Sequence, residues 1–130
     1  MKWNLSADRP IYLQLMDQIR LAILSGIYMP GARLPSVRDL SMEASVNPNT
    51  MQRALSELER TGLIFSQRTS GRFITEDTGL IQKLRKDYAI GRVLDFYQEL
   101  HNLGYTKEEI ILYINTLNKE EKEHDTKSGM

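Results

Sequence analysis

The amino-acid sequence predicts a mainly α-helical fold with one small β-hairpin. Apolar residues recur at spacings of three and four in several segments between residues 10 and 61, which is the periodicity of helices that bury one face. Two short stretches rich in Ile, Phe and Thr, LIFSQ and GRFIT, flank the turn-forming residues RTSG, and this pattern is typical of a hairpin. A helical pattern returns after Gly79 and continues over much of the remaining chain.

The first helix is predicted over residues 10–24. Pro10 suits a first helical position, because the N–H group that it lacks would have no helical partner there. Gly26 and the Pro30-Gly31 turn then end the helix. Its apolar stripe consists of Tyr12, Leu15, Ile19, Ala22 and Ile23.

Two further short helices are predicted close together, over residues 36–44 and 48–61. Ser36 can cap the first of them, and Asn47 is a favoured N-cap for the second. Pro48 then occupies the first position of the second helix. Only three residues separate the two helices, and so tight a connection is the signature of a helix-turn-helix.

The hairpin completes a winged helix-turn-helix at residues 1–76. Two strands of this length are not stable by themselves and need another surface to pack on. The preceding helices supply that surface. In the helix next to the hairpin, the predicted buried residues are Met51, Ala54, Leu55 and Leu58.

The C-terminal region, residues 77–130, is predicted to contain two helices. The first ends at Gly104, and the second begins with a capping box of Thr106 and Glu109. We expect the second helix to span about 13 residues and the polar segment EKEHDTKSGM to be frayed. Two helices rarely form a core alone, because chains below about 40 residues seldom fold unaided. They must therefore pack on the winged domain, on a second copy of the chain, or on both, and we predict a two-helix dimerisation element.

The composition excludes several classes of function. There is no cysteine, which excludes disulfides, thiolate metal sites and thiol catalysis. His101 and His124 are the only histidines and lack partners at ligand spacing, so we expect no metal, no cofactor and no catalytic residue. No apolar run approaches the ~20 residues needed to span a bilayer, and the first residues do not form a signal peptide. We therefore expect a cytoplasmic protein that is neither a membrane protein nor an enzyme.

The charges differ between the two parts of the chain. Residues 1–76 contain nine Lys and Arg against seven Asp and Glu, whereas residues 77–130 contain eight against ten. Eight of the nine basic residues in the first part are Arg, whose planar guanidinium suits phosphates and guanine edges. This favours nucleic-acid binding by the first part. The net charge is nevertheless weak, which supports the alternative of a winged helix used as a protein-interaction module.

The segment VNPNTMQRAL is polar for the start of a helix. The second helix of a helix-turn-helix enters the major groove of DNA with its N-terminal residues against bases and phosphates, and free N–H groups there favour an anion. Gln and Asn can pair with adenine, and Arg with guanine. Alternatively, Asn47 only caps the helix and the other polar residues are solvated. The outward-facing set consists of Asn49, Thr50, Gln52 and Arg53.

The segments RLPSVRDL, VNPNTMQRAL and ERTGLI, followed by a glycine-containing wing, resemble the DNA-binding domain of the GntR family of bacterial transcription regulators in order and spacing. The resemblance begins at PIYLQLMDQIRLAILSG and covers residues 10–75. The two-helix tail is similar to the YtrA-type branch, whose members lack the large effector domains of other branches and dimerise through the tail helices. That branch usually carries Gly-x-Gly in the wing, whereas Thr69 replaces the first glycine here.

The resemblance and the helix pattern together imply two functional surfaces. Arg38 matches the arginine of the family motif LPSxRxL, which contacts DNA in relatives, and a wing tip with arginines can enter the minor groove or contact a phosphate. The predicted DNA-contacting residues are Ser36, Arg38, Asn47, Asn49, Thr50, Gln52, Arg53, Ser70, Gly71 and Arg72. The predicted dimerisation residues are Leu84, Tyr88, Leu94, Tyr97, Ile110 and Ile114.

These surfaces imply a homodimeric repressor that binds double-stranded operator DNA. A dimer doubles the phosphate contacts, and its two-fold symmetry matches an inverted repeat with half-sites about one helical turn apart. A small-molecule effector of unknown identity stays open as a further partner. Because no separate ligand-sized domain is apparent, it would bind at a dimer cleft or between the tail and the winged domain.

Overall fold

The computed structural model describes residues 1–128 of the chain and the side chains of residues 1–118. The elements in chain order are α1 (Ile11–Leu24), α2 (Val37–Ala44), α3 (Pro48–Glu59), β1 (Ile64–Gln67), β2 (Gly71–Ile74), α4 (Thr78–Asn102) and α5 (Lys107–Ser128). The predicted mainly α-helical fold with one small β-hairpin is therefore confirmed. The first three helices and both strands begin and end within two residues of their predicted bounds.

The chain folds as two compact units, one of residues Met1–Lys86 and one that begins at Asp87. α4 continues through this boundary, and its first turns belong to the first unit. Ile81 is 9% exposed within the core of that unit, and Leu84 packs against the same core. The first unit thus extends past residue 76, where the sequence placed the end of the winged domain.

The helix-turn-helix of α2 and α3 is defined by its caps and its turn. The side-chain oxygen of Ser36 accepts a hydrogen bond from the Asp39 N–H group over 3.1 Å, and that of Asn47 accepts one from Asn49 over 2.8 Å. These caps satisfy N–H groups that no helical carbonyl reaches. Ser45 has a left-handed φ of 56°, which ends α2 and turns the chain towards α3. The structure therefore contains both of the caps that the sequence predicted.

A core of aliphatic side chains holds α1, α2, α3 and the hairpin together. The apolar stripes predicted for α1 and α3 lie within it. Burying each such side chain contributes about 1.5–3 kcal/mol, so the core is the main source of stability for the first unit. Its largest fully buried residues are Leu15, Ile19, Ile23, Leu40, Met51, Leu55, Leu58, Leu63, Ile64 and Ile74.

The hairpin pairs with a third segment of the chain that the sequence did not indicate. β1 and β2 are antiparallel, with Ile64 opposite Ile74. On the other side of β2, the Ile74 N–H group donates to the Ala32 carbonyl over 2.8 Å, and the Leu34 N–H group donates to the Arg72 carbonyl over 2.9 Å. The connection between α1 and α2, predicted only as turn-rich, therefore also joins the wing to the start of α2.

The N-terminal arm, residues 4–9, is bound to α1 by two glutamine side chains. Gln18 accepts a hydrogen bond from the Asn4 N–H group over 3.0 Å and donates to the Asn4 carbonyl over 2.7 Å. One helical turn earlier, Gln14 makes the same pair of bonds with Ser6, each of 2.8 Å. Gln14 is only 6% exposed, so these bonds satisfy an amide that the fold removes from water.

The second unit contains the later part of α4 and all of α5. The predicted capping box at the start of α5 is present: the Glu109 N–H group donates to the Thr106 hydroxyl over 3.2 Å, and the Thr106 N–H group donates to the Glu109 carboxylate over 3.0 Å. α5 is longer than predicted, at 22 residues. The segment that we expected to be frayed is helical to Ser128, because it is rich in Lys and Glu and has no Gly or Pro before Gly129. Gly129, Met130 and the side chain of His124 lie outside the described residues.

Candidate nucleic-acid interface

The start of α3 presents polar side chains outward and apolar side chains inward, as the sequence predicted. Met51 and Ala54 are 0% exposed. Four polar residues lie in the same turns. Thr50 is half-buried, and the other three, Asn49, Gln52 and Arg53, are exposed. Amide and guanidinium groups of this kind hydrogen-bond to base edges in a DNA groove.

The backbone at this end of α3 has little capacity left for an anion. Pro48 has no N–H group, and the Asn49 N–H group donates to the Asn47 side chain. The next two N–H groups both donate to the Asn47 carbonyl, over 3.0 and 3.1 Å. The prediction that free N–H groups bind a phosphate here was therefore wrong, because the cap and the proline use or remove them. Only side chains at this end of α3 are therefore available to bind a polyanion.

Two of the outward side chains have partners within the chain. The guanidinium carbon of Arg53 lies 3.7 Å from the centroid of the Tyr12 ring, which is cation–π geometry. The Gln52 amide donates to the Ser56 hydroxyl over 3.3 Å. That distance is at the long end for a hydrogen bond, so water or DNA can readily replace it.

At the start of α2, Ser36 has a capping role and Arg38 is unpaired. The Ser36 oxygen accepts the cap bond from Asp39, which leaves its O–H group able to donate to a phosphate. Arg38 is exposed and forms no ion pair with the described side chains. Its full charge is thus available to a polyanion.

In the wing, Arg72 is bound to Glu59, the last residue of α3. The Arg72 Nε–H group donates to Glu59 Oε1 over 2.7 Å, and the two side chains are 16% and 30% exposed. The Ser66 hydroxyl of β1 donates to the same oxygen. Burial alone would raise the pKa of Glu59, but the hydrogen bonds from Ser66 and Arg72 and the charge of Arg72 outweigh it and hold the pKa below its ordinary value. These three residues, the Glu59 brace, tie both strands to α3 and give Arg72 a structural role in addition to its predicted DNA contact.

The wing turn requires only one glycine. The Ser70 N–H group donates to the Gln67 carbonyl over 3.2 Å and closes the turn. Gly71 has a φ of 100°, and a Cβ atom there would lie 3.2 Å from Arg33 Nε. Thr69 is not among the described residues with positive φ, so the missing first glycine of Gly-x-Gly is accommodated without strain.

A cleft of about 360 Å³ lies between the start of α2 and the wing. Arg33 and Arg68 line it together with Ser36, and both arginines are exposed. Neither forms an ion pair with the described side chains. Sequence analysis assigned no role to Arg33, although it is the first residue of the RLPSVRDL segment, because it reaches the cleft only through the pairing of this connection with β2.

Comparisons with known proteins identify the family to which this fold and interface correspond. Residues 11–74 match the family model of the bacterial regulatory proteins of the gntR family. The uncharacterized HTH-type transcriptional regulator YhcF of Bacillus subtilis is 41% identical over 111 residues, which cover 85% of this chain and 91% of YhcF. The chain belongs to the GntR family.

Other GntR proteins extend the similarity. The HTH-type transcriptional repressor YtrA of Bacillus subtilis is 46% identical over 71 residues, 55% of either chain. A GntR family transcriptional regulator from Listeria monocytogenes has a similar structure, with a TM-score of 0.82 and 38% identity over 86% of this chain and 98% of that one. The AraR DNA-binding domain in complex with operator ORE1 has a TM-score of 0.50 and 25% identity over 58% of this chain and 94% of that one. The chain is therefore a DNA-binding transcriptional regulator and not an enzyme.

The second unit of this GntR regulator has an exposed apolar groove between α4 and α5. The groove has a volume of about 410 Å³. Several of its side chains are well exposed, including Val93 at 64% and Leu94 at 60%. The groove is lined by Val93, Leu94, Phe96, Tyr97, Lys107, Ile110, Ile111 and Ile114.

The predicted dimerisation residues fall into two groups. Tyr88, Leu94 and Ile114 are 43%, 60% and 48% exposed, and Tyr97 lines the groove. In contrast, Leu84 packs against the core of the first unit and Ile110 is 5% exposed, so this chain itself covers them. Helical spacing identified Leu84 and Ile110 as apolar, but spacing does not show which apolar side chains pack within the chain itself.

The described part of the chain contains no group of three His, Asp or Glu residues that could hold a metal ion. Within the same residues, no helix is both long and apolar enough to cross a bilayer. The chemistry that the structure offers is therefore that of a polar, arginine-bearing surface and of an apolar groove.

Proposed function

We propose that this GntR regulator binds an inverted-repeat operator as a homodimer and represses transcription. The observation that carries the proposal is the exposed apolar groove of the second unit. Monomers rarely leave large contiguous apolar patches in water. In a two-fold dimer the same surface patch of both subunits forms the interface, so the two grooves would cover each other. Repression is supported by the similarity to YtrA, which is named a repressor.

Two-fold symmetry determines what the operator should look like. A symmetric dimer presents two copies of α3, and each enters the major groove of one half-site. The half-sites are then related by an inverted repeat, with their centres about 34–36 Å apart or a multiple of that distance. Each winged domain contributes phosphate contacts, so binding to DNA should weaken steeply as salt rises.

The proposed contacts come from polar side chains around α3, the start of α2 and the wing that form no ion pair with the described side chains. Asn47 and Ser36 act mainly as caps, and Arg72 acts mainly in the Glu59 brace. Arg33 and Arg68 join the set because their guanidinium groups line the cleft beside the wing. The proposed DNA-contacting residues are Arg33, Arg38, Asn49, Thr50, Gln52, Arg53, Arg68 and Ser70.

Footprinting on the DNA upstream of the protein's own gene, followed by affinity measurements on the protected sequence, tests this function. We expect protection of an inverted repeat. The double variant Arg38→Ala, Arg53→Ala should then bind at least about 30-fold more weakly, because each specific arginine contact is worth roughly 1–3 kcal/mol.

The matched control is Lys83→Ala, Arg85→Ala, which removes two positive charges from exposed positions on α4. It should keep most of the affinity for the operator. If the two double variants bind equally well, the interface does not lie at α2 and α3. If wild-type protein protects no DNA and is a stable monomer, the proposed function is wrong.

A second candidate function is a winged helix that binds another protein, and the formal net charge of zero favours it. Salt separates the two functions. Specific DNA binding should lose about 10³–10⁵ in affinity between 50 and 200 mM salt if the dimer makes six to ten phosphate contacts. Affinity for DNA that is low and insensitive to salt would favour the protein-binding function.

We also infer that the regulator is cytoplasmic, because bacterial operator DNA lies in that compartment and the chain belongs to a family of DNA-binding regulators. Fractionation of cells that express the protein should recover it with soluble cytoplasmic proteins. Recovery in the membrane fraction would contradict this location.

A further inference from the structure

The side chain of Arg53 is the only one of the proposed DNA contacts that lies over an aromatic ring in the described structure. Its guanidinium carbon is 3.7 Å from the centroid of the Tyr12 ring, well inside the distance of about 6 Å at which a cation interacts with a ring face. Tyr12 lies in the first turn of α1 and packs, partly buried, against the core. Arg53 is exposed at the start of α3.

We propose that Tyr12 is a positioning residue for DNA recognition: its ring holds the Arg53 guanidinium in place before DNA arrives. The inference rests on the proposed function, in which the start of α3 enters the major groove. Helix α1 does not itself supply a proposed contact. The inference gives α1 a role in the specificity of α3.

The geometry leaves the useful part of the guanidinium free. A guanidinium donates hydrogen bonds through N–H groups that lie in its own plane. Its central carbon lies only 3.7 Å from the centroid of the Tyr12 ring, which leaves no room for an N–H group to point at the ring, so we infer that the two groups meet face to face. Stacking and hydrogen bonding therefore do not compete, and the same group can bind a guanine edge or a phosphate while it rests on the ring.

No carboxylate among the described side chains competes with the ring for Arg53. Among the described side chains Arg53 has no ion pair, whereas Arg72 is paired with Glu59 and Arg20 with Asp17. A carboxylate partner would neutralise the charge and occupy the N–H groups that DNA requires. An aromatic partner orders the side chain without either cost.

Ordering matters because an arginine side chain loses much rotamer freedom when it is fixed in a complex. A guanidinium that already rests on Tyr12 loses less of it on binding, which increases affinity without a new contact to DNA. The ring, and not the hydroxyl, has this role, because no described hydrogen bond involves the Tyr12 hydroxyl and the ring face is what the cation contacts.

A double-mutant cycle on operator affinity tests the proposal with the full chain and the DNA identified by footprinting. Tyr12→Leu should weaken binding by roughly 3- to 20-fold, the range of a cation–π contact between exposed and desolvated sites. Arg53→Met should weaken it more. In the Arg53→Met background, Tyr12→Leu should have almost no further effect, because Tyr12 acts through Arg53.

Two comparisons distinguish positioning from general damage. Tyr12→Phe keeps the ring and should bind the operator as wild type does. In an Arg38→Met background, Tyr12→Leu should weaken operator binding by the same factor as it does in the wild-type protein, because the ring positions Arg53 and not Arg38. If Tyr12→Phe binds as weakly as Tyr12→Leu, or if the Tyr12 and Arg53 effects simply multiply, the proposal is overturned.

A series of progressively fluorinated phenylalanines at position 12 provides a test that does not depend on Tyr12→Leu being folded. Fluorination withdraws charge from the ring face and weakens cation–π attraction with little change in shape. Affinity should fall step by step with fluorination, and a flat series would overturn the proposal. If wild-type protein binds a specific operator but the cycle and the series are both flat, only the role of Tyr12 fails. If no specific operator is found, the proposed function itself fails.

Discussion

At the scale of single residues, the arginines of the first unit differ in whether a carboxylate holds them. Arg9 and Arg20 both pair with Asp17 at 3.1 Å, and Arg72 pairs with Glu59 at 2.7 Å. A paired guanidinium is already partly neutralised, so it releases fewer counterions from DNA when it binds. Among the arginines without an ion pair to a described side chain, four lie around the start of α2, in the first half of α3 and in the wing: Arg33, Arg38, Arg53 and Arg68.

Glu59→Gln should lower the free energy of unfolding at neutral pH by on the order of 1 kcal/mol, because the amide does not replace a charged acceptor for Arg72 and Ser66. The folded-state pKa of Glu59 is below the ordinary value of 4.5. Its contribution to stability is therefore fully present above pH 4.5 and is lost as the pH falls through the lower, folded-state value. Urea unfolding from neutral to acid pH should show a constant gap between wild type and variant above pH 4.5, and the gap should close as the pH falls from 4.5 through the folded-state value.

The matched control for this measurement is Glu57→Gln, since Glu57 lies two residues earlier on α3 and outside the Glu59 brace. Its stability difference from wild type should be small and should not follow the same pH dependence. A gap for Glu59→Gln that stays constant down to the acid limit would contradict the role of the brace.

The sequence predicted residues whose roles are local and missed those whose partners lie far along the chain. Ser36 and Asn47 cap the helix that follows them directly, so spacing alone revealed them. The bond from Arg72 to Glu59 spans 13 positions and forms only after the hairpin folds back on α3. Arg72 was therefore predicted as a DNA contact alone, and Arg33 was not predicted at all.

At the scale of elements, the cap of α3 distinguishes a structural role from a contact with DNA. Asn47→Ala removes the acceptor for the Asn49 N–H group and should destabilise the protein by about 1 kcal/mol. Asn47→Ser keeps a capping oxygen and should be close to wild type in stability. We expect both folded variants to bind the operator within a few-fold of wild type, measured by thermal unfolding and by anisotropy of labelled DNA.

The outcome for Asn47 can also contradict this assignment. If Asn47→Ser is as stable as wild type but binds the operator tenfold or more weakly, the side chain contacts DNA in addition to its role as a cap.

The elements themselves were predictable to the extent that their signals are local. Apolar periodicity and caps located α1, α2 and α3, and turn residues located the hairpin. The third segment beside β2 carries no strand-like pattern, because its pairing depends on the position of the wing. The length of α5 was underestimated because a polar, charged segment was taken as an unstructured end, although its residues favour a helix.

At the scale of the whole molecule, the exposed groove between α4 and α5 determines the assembly that we propose. Leu94→Asp or Ile114→Asp places a charge in the groove and should convert a dimer to a monomer, because an unpaired charge is costly to bury in an apolar interface. Light scattering coupled to gel filtration measures the mass, and operator affinity should fall with it.

Leu112→Asp is the control for the dimer prediction. Leu112 is 61% exposed on the same helix but does not line the groove. It should leave both mass and operator affinity unchanged. Monomeric wild-type protein at micromolar concentration, or a dimer that tolerates both groove variants, would contradict the proposed interface.

The glutamine contacts to the N-terminal arm have a consequence for where the independent folding unit begins and ends. The segment that matches the family model, residues 11–74, omits the arm that Gln14 and Gln18 bind and the first turns of α4 that Ile81 anchors. A fragment of residues 11–74 would leave the Gln14 amide without its partners and the core without its cover at Ile81. We expect it to lack a cooperative thermal transition, whereas residues 1–86 should melt cooperatively, and equal melting of both would contradict this. We therefore expect the region that matches the family model to be smaller than the unit that folds on its own.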